Sequence, residues 1–232
     1  TLQTADGREE HLVANFIISA TGLFSTPKLP DIPGVERFGG KVMMSAKWDP
    51  SYDLRGKHVV QVGTGATGVQ LAPHIAPTAA SLTVFQRTPN WVLPMEGYKA
   101  NLPDGLSWLF EHVPYYWNWF CYSMYYLNAQ LEGLQVLDEG WHAGSGGINQ
   151  RNDELRKAAE SYVHEKFASR PDLIEKVLPK YPPMARRPTI DNNWYDTLLR
   201  DNVTVVTSGI REITQNAVIA NDGTAYQCET LM

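Results

Sequence analysis

The chain has 232 residues with a net charge of −5, and its 43% hydrophobic and 19% charged residues make an ordinary globular composition, sized for one large domain or two small ones. The negative balance, with no run of basic residues interleaved with aromatics, argues against a general nucleic-acid binder. Cys121 and Cys228 lie far apart without C-x-x-C or metal spacing, which argues against a disulfide framework and a zinc site and fits a reducing cytoplasm.

In chain order, residues 2–7 and 11–20 read as a hairpin about an Asp6-Gly7 turn that runs into a buried strand at Phe16-Ile17-Ile18-Ser19-Ala20. Ala20-Thr21-Gly22 closes that strand. Pro27, Pro30, Pro33 and Gly34 then make a stiff connector at a domain boundary.

The stretch 57–87 organises the rest. Lys57-His58-Val59-Val60-Gln61-Val62 is a β-branched strand, and Gly63-Thr64-Gly65-Ala66-Thr67-Gly68 follows at once with G-x-G-x-x-G spacing. In such a turn the first glycine makes the bend and the second lets a pyrophosphate approach the backbone. The third lets the helix pack closely on the strand. A helix over 66–76, carrying Gln70 as a further candidate contact, aims its free N–H groups at phosphates. After the second strand, at 82–85, an NAD site would carry an acid for the ribose 2′-OH. Gln86-Arg87-Thr88 stands there instead, and a guanidinium beside amide and hydroxyl donors suits the 2′-phosphate of NADP(H).

Residues 88–94 read as extended between Pro89 and Pro94. From 102 to about 167 the pattern is helical and dense in aromatics, Trp108, Trp117, Trp119, Tyr122 and Tyr125 among them, which reads as a helical core, with the lining of a substrate pocket or a partner surface as the alternative. Glu111, His112, Pro114, Asn118, Asn128 and Gln130 make this stretch too polar to span a membrane. Residues 140–147 read as a glycine loop, and Asn152-Asp153-Glu154 as the start of a helix to about 167 with Lys157, Glu160, His164 and Glu165 on a solvated face. A short helix over 171–180 stops at Pro182-Pro183. Arg186 and Arg187 precede Pro188, and strands follow at 203–206, 210–214, 217–219 and 225–227, the last two joined at Asn221-Asp222-Gly223.

Several of these residues together carry a family resemblance. Ala20-Thr21-Gly22, the proline connector, Phe38-x-Gly40, Trp48-Asp49 and the later glycine fingerprint resemble the flavin-containing monooxygenases, and within them the Baeyer–Villiger monooxygenases. Phe38, Gly40, Trp48 and Asp49 match that signature, whereas its histidine position holds Met44. The aromatic insertion and Asp191-Asn192-Asn193-Trp194-Tyr195 are most similar to the 4-hydroxyacetophenone monooxygenase branch.

The resemblance implies an α/β fold: a Rossmann-like NADP-binding domain with a helical insertion, plus a β-rich remnant of a FAD-binding domain. Residues 1–35 would be the last part of the FAD domain, with Thr21 and Gly22 near FAD or NADP. Residues 36–100 would be the first half of the NADP domain and 101–180 the insertion. Residues 181–232 would be the second half and the start of the return, so the chain reads as an internal fragment. It also implies FAD and NADP(H) as cofactors, with Arg187 reaching the flavin and stabilising peroxide while Arg186 holds NADP. The implied reaction inserts one oxygen of O2 into a ketone, or oxygenates a nitrogen or sulfur. A stand-alone NADP-binding remnant is a further alternative. A disulfide reductase is disfavoured because Cys121 and Cys228 lack redox spacing. Oligomeric state stays open, with a homodimer as one option.

Overall fold

The computed structural model describes residues 1–4, 6–22 and 26–232; Ala5, within the expected hairpin, and residues 23–25, within the expected unit 1–35, lie outside the described residues. A hairpin forms about Gly7, at φ +84°, but its second arm is β2 (Glu9–Glu10), antiparallel to β1 (Leu2–Gln3), and not the expected stretch 11–20. The buried strand expected over 16–20 does not form. Phe16, Ile17 and Ile18 are 89–91% exposed and pair with no strand. An apolar run becomes a buried strand only where neighbours accept its ladder and layers cover its faces, and nothing among the described residues does either here.

The centre is a five-stranded parallel sheet. Its members are β3 (Lys41–Val42), β4 (His58–Val62), β5 (Ser81–Phe85), β8 (Val203–Val206) and β12 (Thr230–Leu231), in the order β3-β12-β4-β5-β8. Sequence reading finds β4, β5 and β8 and misses β3 and β12, whose two residues each carry no periodic signal. β12 pairs on both sides, which ties residues 229–232 into the sheet beside the glycine turn.

Side chains alternate across this sheet and feed two cores. Val59, Leu82, Val84, Val203 and Val205 join α1 (Ala66–Ile75) on one face. Also on that face are Val163 and Phe167 from the end of α5 (Gln150–Lys166), Val177 of α6 (Ile174–Val177), and Trp194 and Leu198 of α7 (Trp194–Leu198). Val60, Phe85, Val206 and Leu231 face the other way, onto the antiparallel sheet of β9 (Ile210–Ile213), β10 (Ala217–Ala220) and β11 (Ala225–Gln227), with Ile32, Val35 and Phe38 of the connector.

The insertion lies between β6 (Val92–Leu93) and β7 (Thr189–Ile190), which pair in parallel. It holds α2 (Asp104–His112), α3 (Tyr116–Ala129), α4 (Glu139–Ser145), α5 and α6. The glycine loop expected at 140–147 is mostly α4, because Asp138 accepts a hydrogen bond from the Trp141 backbone N–H and caps it. Asn149 caps α5 in the same way, so that helix starts a turn earlier than its Asn-Asp-Glu run suggested. The aromatics of α2 and α3 do not form the expected core. Phe110 packs on Trp117 and Phe120, but Trp108, Trp117, Trp119, Tyr122 and Tyr125 remain more than half exposed. The fourteen residues of α3 carry no charge and spread aromatics around its circumference, so α2 covers only a strip of it.

Burial pushes the Cys228 thiol up to about 11, whereas Cys121 is exposed on α3. Only the thiolate is nucleophilic. An aromatic disulfide reagent at pH 8 is therefore expected to modify Cys121 quickly in the native chain and Cys228 only after denaturation. Two fast thiols in the native chain would contradict the packing of the second core.

Candidate nucleotide site

The three glycines of the fingerprint differ in geometry as their expected jobs require. Gly63 ends β4 at φ +97°, in the left-handed region where a side chain is strained. Gly65 has nothing within 4 Å of where a Cβ would sit, so its backbone is open to approach, and it caps the start of α1. At Gly68 a Cβ would lie 2.7 Å from the Gly63 carbonyl oxygen and 2.7 Å from Gln61 Nε2, so only glycine lets the first turn of α1 close onto β4. Gln61, 4% exposed, donates from Nε2 to that same carbonyl at 3.0 Å and holds the bend.

Across from this turn lies a polar cleft of about 270 Å³ lined by Gly63, Thr64, Gly65, Arg87, Thr88, Asn90, Arg186 and Arg187. Two stretches separated by about a hundred residues thus meet at one place. Among the described residues no acidic group pairs with any of the three guanidinium groups. Three guanidinium groups without an acidic partner beside a helix N-terminus are the kind of arrangement that suits an anion, which makes this cleft the candidate site.

The arginine loop is held by hydrogen bonds that sequence reading did not single out. Trp91 Nε1 donates to the Tyr181 carbonyl at 2.8 Å, and the Tyr181 hydroxyl lies 3.0 Å from the Pro89 carbonyl and 3.1 Å from Asn90 Oδ1. Asn90 Nδ2 donates to the Arg187 carbonyl at 3.2 Å. The β6–β7 pairing continues the tie, and Arg186 stacks its guanidinium 5.2 Å from the Tyr181 ring centroid. Behind them the fully buried Asn152 donates to the Pro183 and Leu134 carbonyls at 2.8 and 3.0 Å. Met184 adopts φ +67°, a conformation non-glycine residues rarely take, where the loop turns toward the arginines. The only advance signal of this clamp is the proline bracketing at Pro89, Pro94, Pro182 and Pro183.

Other candidate residues sit elsewhere. Gln86 is buried and donates to the Lys176 carbonyl at 2.7 Å, so its amide does not serve the cleft. Ala66 and Thr67 line a second, apolar cavity of about 450 Å³ on the other side of the turn, together with Met44 and Trp48 of the signature. Gln70 is exposed and lines neither cavity, and Thr21 and Gly22 are exposed on the extended segment and line neither. Phe38 packs on the second core beside Gly40, where a Cβ would meet the Glu229 carbonyl at 2.3 Å. Lys41 holds the Asp49 carboxyl well below the usual range, at about 2, through a 2.6 Å ion pair. The signature residues are thus tied to the sheet edge. Asp191 caps Trp194 and accepts from Tyr162, seating the buried Trp194-Tyr195 pair under the sheet.

Residues 1–103 match the flavin-binding monooxygenase-like family model. Over that stretch the chain is similar to this family. It is 35% identical over its whole length to an uncharacterized monooxygenase of Sinorhizobium fredii and covers 35% of that protein. To a Baeyer-Villiger monooxygenase of Pseudomonas aeruginosa it is 32% identical, over 98% of this chain and 41% of the relative. A crystal structure of OTEMO in complex with FAD and NADP superposes on 93% of this chain and 46% of that one, at a TM-score of 0.72 and 30% identity. The chain therefore spans less than half the length of these members of the flavin monooxygenase family.

Gly68→Ala is expected to destabilise the chain by about 1–3 kcal/mol through forced overpacking against the Gly63 carbonyl. Chemical denaturation followed by circular dichroism measures this, and an unchanged midpoint would contradict the close helix–strand contact.

Proposed function

We propose that this chain is the NADP(H)-binding part of a FAD- and NADPH-dependent monooxygenase that inserts one atom of O2 into a ketone. The observation that carries the reading is the convergence of Arg87, Arg186 and Arg187 on the Gly63-Thr64-Gly65 turn. The residues present fit NADP(H). The pyrophosphate would lie over Gly65, whose Cβ position is open, facing the N–H groups of the first turn of α1. Arg87 and Thr88, at the end of β5, would take the 2′-phosphate with Arg186, which Tyr181 holds in place. The described residues hold one strand–glycine–helix unit, and Thr21 and Gly22 line neither cavity beside it, so no FAD site is assigned to these residues.

When bound, the reduced nicotinamide supplies a hydride for flavin reduction. The chain's own share is binding, orientation and charge. Arg187 presents a fixed cation beside the turn, where negative charge on a reacting oxygen would be stabilised. The Trp91, Tyr181 and Asn90 hydrogen bonds keep that cation from relaxing away. Oxygenation of a nitrogen or sulfur is the second reading, favoured by Met44 at the signature position where ketone-oxidising relatives would carry histidine. Small-molecule ketone or heteroatom substrates and O2 follow from either reading.

Arg87→Ala is expected to weaken NADPH by on the order of 1.5–3 kcal/mol, about tenfold to a hundredfold, and to leave NADH nearly unchanged. Calorimetric titration of both nucleotides measures it. Equal losses for the two would remove the 2′-phosphate assignment.

A further inference from the structure

The side chains of α3 fall into two stripes. At about 100° per residue, Trp117, Phe120, Met124 and Leu127 lie on one side of the helix and Trp119, Tyr122 and Tyr126 on the other. Phe110 of α2 packs on Trp117 and Phe120, so the first stripe has a partner within the chain. The second is open: Trp119 is 68%, Tyr122 58% and Tyr126 56% exposed, and Tyr115, one turn earlier, 75%. Trp119 and Tyr122 meet edge to face at 5.9 Å, and among the described residues no ring from another element stacks on either. Steps of three and four residues make this the narrow seam of a helix–helix pair, not the wide apolar face of a helix that lies in a lipid surface.

Charge narrows what can cover the seam. Between Lys99 and Arg151 the chain carries Asp104, Glu111, Glu132, Asp138 and Glu139 with no lysine or arginine, so an anionic lipid surface meets like charge here. None of these acids lies on α3 itself, and a second α3 can be laid along the seam with no charges opposed. The N-terminus of α3 has no side-chain cap and no acid in its first turn. An antiparallel pair centred between Tyr122 and Ser123 sets Trp119 of each copy against Tyr126 of the other. It also brings Glu132, just past the end of one α3, to the positive start of the other, whereas a parallel pair would set Glu132 against Glu132. The open rings of Tyr115, Trp119, Tyr122 and Tyr126 offer on the order of 500 Å² per protomer, or about 1,000 Å² per pair, which is the size of a weak but specific interface.

We propose that the Trp119-Tyr122-Tyr126 face of α3 is the self-association surface of this chain and pairs antiparallel with the same face of a second copy. The pairing is independent of the NADP(H) reading. It covers aromatics that the chain's own packing leaves in water, and it places α3 between α2 and the second α3, one helix on each stripe. Cys121 points away from the seam and stays accessible in the dimer.

The test is sedimentation equilibrium of the 232-residue chain from about 1 to about 200 µM. A monomer–dimer equilibrium is expected, tightening as salt rises from about 0.05 to about 0.5 M because screening weakens repulsion between the acids of the two copies. Tyr122→Glu places two carboxylates at the centre of the seam and is expected to weaken the dimer about tenfold or more, and Trp119→Glu repeats the test one turn away should the first variant lose its fold by thermal midpoint. Asn128→Glu adds the same charge on the far side of α3 and is expected to stay within about twofold of the parent. A monomer at every concentration would overturn the proposal, as would a dimer weakened equally by Asn128→Glu or one in which Cys121 becomes protected from a thiol reagent. Binding of a monomeric chain to phosphatidylcholine vesicles, lost in Tyr122→Glu, would overturn it in favour of a lipid surface.

Discussion

The site depends on how closely the first turn of α1 approaches the end of β4. Gly68 makes that approach by leaving out a Cβ that would strike the Gly63 carbonyl, and Gln61 fills the space beneath with an amide bonded to the same oxygen. The result is a bend whose backbone N–H groups and helix dipole point outward at one spot. β12 reinforces it from the other side, because the Val62 N–H donates to the Met232 carbonyl at 2.7 Å, next to the turn.

Charge is delivered to that bend from a distance. Arg87 comes with the strand adjoining β4, but Arg186 and Arg187 arrive after the whole helical insertion. Three like charges in one cleft repel one another, so something has to hold them. The Trp91, Tyr181, Asn90 and Asn152 hydrogen bonds do so through backbone carbonyls, which leaves the guanidinium N–H groups of all three arginines without an acidic partner among the described residues. That economy suits a binding site better than a structural ion network, in which acids would neutralise the arginines.

Residues 57–88 were legible in the sequence because strand, glycine turn, helix and basic strand end are all local signals with distinct residue chemistry. The arginine pair was legible through resemblance alone, since no local pattern says that Arg186 and Arg187 return to Gly65. Residues 16–20 misled because a run of apolar β-formers specifies a strand only together with the neighbours that would pair with it. The aromatics of α3 misled for a related reason: composition gives the area available for burial and not the surface that covers it. β3 and β12 were invisible, being two residues each and fixed by their partners in the sheet. Gln61 was read only as a strand residue, and its role depends on the position of Gly68, seven residues on.

The most direct measurement is a thermal-shift titration of the unmodified chain with NADPH, NADH and FAD in parallel. The account predicts a saturable rise in the unfolding temperature with NADPH, at far lower concentration than with NADH, and no stoichiometric effect of FAD. Equal stabilisation by NADPH and NADH would contradict the role given to the three arginines, and stabilisation by FAD alone would contradict the assignment of the glycine turn to NADP(H).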